Sequence, residues 1–201
     1  MPSSHNLVHV FVRSWRFLLL VMGVGLALAL GFSLVQPLRY SSTVRLLITQ
    51  TSLTGIDPYT AIKSTERIAQ NLSEIIYTTS FFNAVTAADA IDRNYFPQDE
   101  IRKREAWRDA IETGVSAGTG VMTVTAFHPD RTQAGELAVR VARELAALAP
   151  NYFGYSVRVQ IIDDPLPSRF FAKPNFFRNG MLGLAFGFLF GSAYVMAKQQ
   201  A

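Results

Sequence analysis

Two long stretches without a charged residue, one near each end, decide what this chain can become. The first runs from Phe17 to Leu38 and the second from Asn179 to Ala197, and all fifteen acidic residues lie between them. At ~1.5 Å of rise per residue, each run matches the roughly 30 Å hydrocarbon core of a bilayer. The chain is 49% hydrophobic and 17% charged over 201 residues, so the two kinds of residue are segregated along it. The first run is longer than the apolar core of a secretory signal. No small-x-small cleavage site follows it before Gln36, Pro37 and Leu38, so a retained anchor is expected.

The flanks set the expected topology. Arg13 and Arg16 precede the first run and Lys198 follows the second, which places both tails in the cytoplasm under the positive-inside rule. Lys173 and Arg178 argue weakly the other way, but they end a long translocated domain, where charge counts for less. The expected order is a cytoplasmic tail over 1–16, a transmembrane helix over 17–38 and an extracytoplasmic domain over 39–178. A second transmembrane helix over 179–197 and a cytoplasmic tail over 198–201 complete it. The net charge of +4 comes largely from the flanks.

Both runs carry small residues at helical spacing. Gly183, Gly187 and Gly191 fall at i, i+4 and i+8 in the second, and Gly23, Ala27 and Gly31 do so in the first. Each glycine inside a soluble helix costs about 1 kcal/mol relative to alanine. In lipid, close backbone approach through small residues is a main source of helix packing. The two strips are therefore expected to pack together, within a subunit or between neighbours.

The middle segment reads as an α+β domain, a membrane-proximal mixed sheet with packed helices. Strands are expected at Ser41–Thr49 and Tyr155–Ile162, with a hairpin over 112–127 turning at Gly118-Thr119-Gly120. Helices are expected at Thr60–Tyr77, where Ile62, Ile68, Leu72, Ile75 and Ile76 recur at helical spacing, and at Ser80–Ala90 and Glu100–Ile111. A longer one opens at Pro129-Asp130 and carries Ala134, Leu137, Val141, Leu145 and Leu148.

No catalytic, cofactor or metal constellation emerges. His5 and His9 lack a third ligand, and His128 sits beside Pro129 at a helix start. Asp163 and Asp164 are adjacent, so on a strand they point to opposite sides, and they are expected to end the last strand before Pro165. No phosphate-binding glycine loop is present. The run Arg102-Lys103-Arg104 alternates with Glu100, Glu105 and Asp109, the pattern of a solvated helix face and not of a nucleic-acid surface. Zero cysteines exclude a disulfide framework. An enzyme is not expected.

In the order of its parts the chain resembles the Wzz-type chain-length determinants, or polysaccharide co-polymerases. The likeness rests on a strand starting at Tyr40-Ser41 directly after the first span and on AIKSTERIAQNLSEIIYTTSFFNAV (Ala61 to Val85). It rests also on HPDRTQAGELAVRVARELAAL and on the closing IIDDPLPSRFFAKPNFFRNGMLGLAFG, with Pro165, Pro167 and Pro174 leading into a glycine-rich span. Larger members insert a long helical arm where Thr86 to Glu112 stand here, and some carry a cytoplasmic kinase module. A minimal form without either is expected.

The resemblance implies a homo-oligomeric scaffold in the bacterial cytoplasmic membrane, with its main domain periplasmic in a Gram-negative envelope. Such a scaffold contacts membrane lipid and influences glycan length through a polysaccharide polymerase, exporter or synthase. Glycan contact is part of that expectation. The alternative is a regulatory membrane adaptor for a separate cytoplasmic tyrosine kinase or a synthase. Charged helix-face positions Arg67, Glu74, Arg104 and Glu105 are the candidate assembly residues.

Overall fold

The computed structural model describes residues 13–51, 57–88, 90–153 and 156–200. In chain order the elements are α1 (Trp15–Val35), β1 (Tyr40–Gln50), α2 (Pro58–Ile76), α3 (Thr79–Thr86) and a 3-10 turn (Arg93–Tyr95). Then come α4 (Glu100–Ala110), β2 (Ile111–Val115), β3 (Val121–His128), α5 (Arg131–Phe153), β4 (Val157–Pro167) and α6 (Phe176–Gln200). Contacts divide the chain into two compact units. One is a helical unit from 1–37 and 173–201; the other is a sheet domain over Leu38–Ala172. Residues 173–178, assigned to the middle domain on the sequence, thus cluster with the helical unit.

The sheet domain is α+β, but its sheet is antiparallel throughout and not mixed. The strand order is β2-β3-β1-β4, with β1 between its two antiparallel partners. β1 pairs with β3 from Tyr40↔His128 to Leu47↔Val121. The β2–β3 hairpin turns where expected, because Gly118 and Gly120 both take positive φ (72° and 66°). At Gly120 a side chain is excluded twice over: a Cβ there would come within 2.8 Å of the Ile48 carbonyl oxygen.

Period-two alternation puts one face of the sheet into the core. Val44, Leu46 and Ile48 of β1 and Met122, Val124 and Ala126 of β3 are fully covered, while Arg45 between them is exposed. Against this face lie Ala134, Leu137, Ala138, Val141, Ala142 and Leu145 of α5 and Ile68, Leu72 and Ile76 of α2. Burying each Val, Leu, Ile or Met among them contributes about 1.5–3 kcal/mol. The stripe predicted on α2 is narrower than its spacing suggested, since Ile62 is exposed.

A second set of contacts closes the core beyond the hairpin. The rings of Phe82, Phe96 and Trp107 meet edge to face, at centroid distances of 5.2, 5.2 and 5.8 Å. Their placement depends on caps. Thr78 accepts from the Phe81 amide (3.3 Å) and donates to the Ile75 carbonyl (2.7 Å), fixing the bend between α2 and α3. Asp99 accepts from the Arg102 amide (3.0 Å) and starts α4. Between α3 and β2 the regular elements among the described residues are the 3-10 turn and α4.

β4 runs to Pro167, five residues past its expected end. Asp163, Asp164 and Pro165 do not terminate it. An edge strand tolerates proline, since its outward N–H has no partner to lose. Two register shifts against β1, between Thr43 and Arg45 and between Arg45 and Leu46, absorb the irregularity as bulges.

Candidate interhelical seam and assembly surfaces

The helical unit builds one close seam. Gly183, Gly187 and Gly191 of α6 all face α1, as their spacing implies. A Cβ on Gly183 would lie 2.6 Å from the Ala29 Cβ and 2.6 Å from the Gly25 carbonyl oxygen. One on Gly187 would lie 2.7 Å from the Met22 Cα, and one on Gly191 would lie 3.0 Å from a Leu18 methyl. At Gly183 and Gly187 these distances are shorter than side chains tolerate, so there α6 approaches α1 backbone to backbone, while Gly191 meets the side chains of Leu18 and Val21. Both helices are long and apolar enough to cross a membrane.

The partner strip on α1 differs from the expected one. Gly23 and Gly31 have nothing within 4 Å of a Cβ position, and Ala27 is exposed with them. The seam uses Gly25 and Ala29 instead, flanked by Leu18, Val21 and Met22. At ~100° per residue, two positions of offset turn the strip to the far side of the helix. Gly23, Ala27 and Gly31 therefore present a small-residue face outward within the single chain.

At one end of the seam a polar pair joins the helices. The Asn179 side-chain amide donates to the Ser33 hydroxyl (2.8 Å), which in turn donates to the Ala29 carbonyl (3.0 Å). Side-chain hydrogen bonds of this kind between apolar helices contribute about 0.6–2 kcal/mol in lipid. Neither residue stands out on the sequence, because Gln36 in the first charge-free run and Ser192 in the second are polar as well. Beside the seam runs a groove of about 500 Å³, lined by Leu28, Phe32, Phe186, Phe190 and Gln36 among others.

The prolines divide between the units. Pro165 and Pro167 lie within β4, not after it, and Pro174 follows the cis Lys173–Pro174 bond in the helical unit. The candidate assembly residues are all outward-facing. Arg67 and Glu74 share one exposed face of α2, and Arg104 and Glu105 that of α4. The ion pairs among described residues, Lys63–Glu66, Lys103–Glu100 and Arg140–Glu144, include none of the four. The structure brings no two of these helices' candidates together.

His128 closes β3 and is almost fully covered, with its ring 4.2 Å from that of Tyr95. Its Nδ1 accepts the Asp130 amide N–H (3.0 Å). Burial lowers its pKa below the ordinary 6.5, outweighing the Asp130 and Asp92 carboxylates that act the other way. Asp130 accepts from the amides of Thr132 and Gln133 (2.7 and 3.0 Å), starts α5, and is held below the usual carboxylate range by those bonds. Histidine at this position is structural, serving the strand-to-helix turn. His5 and His9 lie outside the described residues. Among the described residues no three His, Cys, Asp or Glu side chains are grouped to hold a metal.

No protein-family model matches the chain, and no curated protein does.

Proposed function

We propose that the chain is a membrane-anchored, oligomeric scaffold that assists extracytoplasmic polysaccharide polymerisation or export and influences glycan chain length. The reading rests on one observation above the rest. The first and last helices are long and apolar enough to span a membrane, and between them the chain forms one α+β domain whose first and last strands are neighbours. That order is the one in which the sequence resembles the polysaccharide co-polymerases. On this reading the role is non-catalytic.

On this reading both termini are cytoplasmic and the sheet domain lies outside. The scaffold sits in a bacterial cytoplasmic membrane as copies of one chain, beside a polymerase, exporter or synthase. The deciding experiment is deletion of the gene followed by gel separation of the surface or secreted glycan. The expected result is a changed length distribution with sugar transfer retained. An unchanged ladder with normal polymer amount would refute the scaffold.

A further inference from the structure

At one end of the sheet domain, exposed apolar side chains stand among cations that form no ion pair with an acid among the described residues. β1 begins at this end and β4 finishes there. The Ser168 amide donates to the Ser41 carbonyl (2.7 Å), and the Ala172 amide to the Arg39 carbonyl (2.8 Å). Leu166 and Phe170 are 82% and 83% exposed, and Phe171 packs its ring 4.6 Å from Tyr40 while remaining half uncovered. Around them stand Arg39, Arg131 and Arg169. Arg39 donates to the main-chain oxygen of Asp109 (3.3 Å) and Arg131 to that of Pro167 (3.5 Å). No carboxylate of a described residue forms an ion pair with any of the three. Asp130, next to Arg131, is engaged by the amides that start α5, and Asp163 and Asp164 of β4 form none of the ion pairs among the described residues.

Single exposed apolar residues are ordinary, but a cluster interleaved with arginine has a specific chemistry. Phenylalanine and leucine on an interfacial face sink a few ångströms into the boundary between headgroups and acyl chains. Arginine stems lie along apolar surface while their heads reach phosphate. Continuity of the chain says what covers the patch. Leu38 follows Pro37, the last residue of the helical unit's first segment, and Ala172 precedes Lys173, the first of its second. The patch is thus tied at both chain ends, within a few residues, to helices able to cross a bilayer.

We infer that this end of the domain seats in the phospholipid headgroup layer, with Phe170 and Leu166 among the upper acyl chains and Arg131 and Arg169 on phosphates. The inference rests on the reading of α1 and α6 as membrane spans, and its test separates the two. The chain has no cysteine, so single cysteines can carry an environment-sensitive fluorophore in the otherwise unaltered full-length protein. Phe170→Cys reports the patch, Leu28→Cys reports an exposed flank of α1 beside the groove, and Ala117→Cys in the β2–β3 turn reports the opposite end of the sheet. Each is reconstituted in vesicles of phosphatidylethanolamine and phosphatidylglycerol, with and without brominated acyl chains.

Bromolipid quenching is expected at 28 and 170 and absent at 117. Arg131→Gln with Arg169→Gln should weaken quenching at 170 severalfold and leave it unchanged at 28. Quenching at 28 without quenching at 170 overturns the inference and leaves the spans standing. Absence of quenching at both sites removes the spans, and the inference with them. A site 170 that ignores bromolipid yet is shielded from aqueous iodide puts a protein partner on the patch, and so also overturns it. Quenching at 170 that is indifferent to the two glutamines overturns the phosphate contact.

Discussion

The indole N–H of Trp107 donates to the main-chain oxygen of Ile76 across 2.7 Å, tying α4 to the last turn of α2 where a helix end would otherwise leave a buried carbonyl without a partner. Trp107 is 2% exposed and packs edge to face on Phe82. One side chain thus supplies both the ring that fills the space and the donor that satisfies the helix end.

Trp107→Phe should keep most of the packing and lose the donor, costing about 1–3 kcal/mol. Trp107→Ala should cost about 3–5 kcal/mol through the cavity left behind. Thermal or denaturant unfolding followed by circular dichroism checks the order of the two. Equal losses would mean that the ring packing contributes nothing, and an unchanged midpoint in Trp107→Phe would mean that the hydrogen bond contributes nothing.

The bend between α2 and α3 offers a smaller test. Thr78→Ala removes the acceptor for the Phe81 amide and should cost about 1 kcal/mol, as for a helix N-cap. Thr78→Ser should restore most of it, because the hydroxyl remains.

Gly187→Leu and Gly23→Leu separate the seam from its neighbour face. The first places a side chain against the Met22 backbone, and the second enters open space. Overpacking of this kind costs about 1–3 kcal/mol or more. Gly187→Leu should lower the temperature at which the detergent-solubilised protein aggregates, while Gly23→Leu leaves that of the single chain unchanged. Should Gly23→Leu instead abolish cross-linking between copies, the outward strip is where subunits meet.

The pH dependence of the sheet domain follows from His128. Its folded pKa lies below the ordinary 6.5, so the unfolded chain takes up the proton more readily. The stabilisation is complete above that ordinary value and is lost as pH falls from it toward the folded pKa. His128→Asn, which keeps a side-chain acceptor for the Asp130 amide, should flatten this slope. Denaturant midpoints measured on either side of the ordinary value check the effect.

Much of this was legible in the sequence, and the exceptions have physical causes. The i, i+4, i+8 glycines of α6 marked a real packing face because small residues matter only where something approaches. On α1 two small strips compete, Gly23-Ala27-Gly31 and Gly25-Ala29, and composition alone cannot say which one turns toward a partner. β4 continues past Asp163, Asp164 and Pro165 because such residues interrupt central strands but not an unpaired edge. The 3-10 turn at Arg93–Tyr95 carries no hydrophobic period to read. Its start lies in the Asp92 carboxylate accepting the Asn94 amide (2.9 Å), a signal visible only once the turn is known.

The clasp between β1 and β4 has a mechanical consequence. Because the two strands are antiparallel neighbours and both chain ends leave from the same side, tension drawing those ends apart loads their hydrogen bonds one after another instead of together. The Ala172–Arg39 bond would yield first and the Ser168–Ser41 bond next. Such a joint opens at low force, like a zip pulled from its end, whereas strands loaded along their length would resist as a set. Lateral strain between the two terminal helices would therefore be felt at the foot of the sheet long before its core gives way.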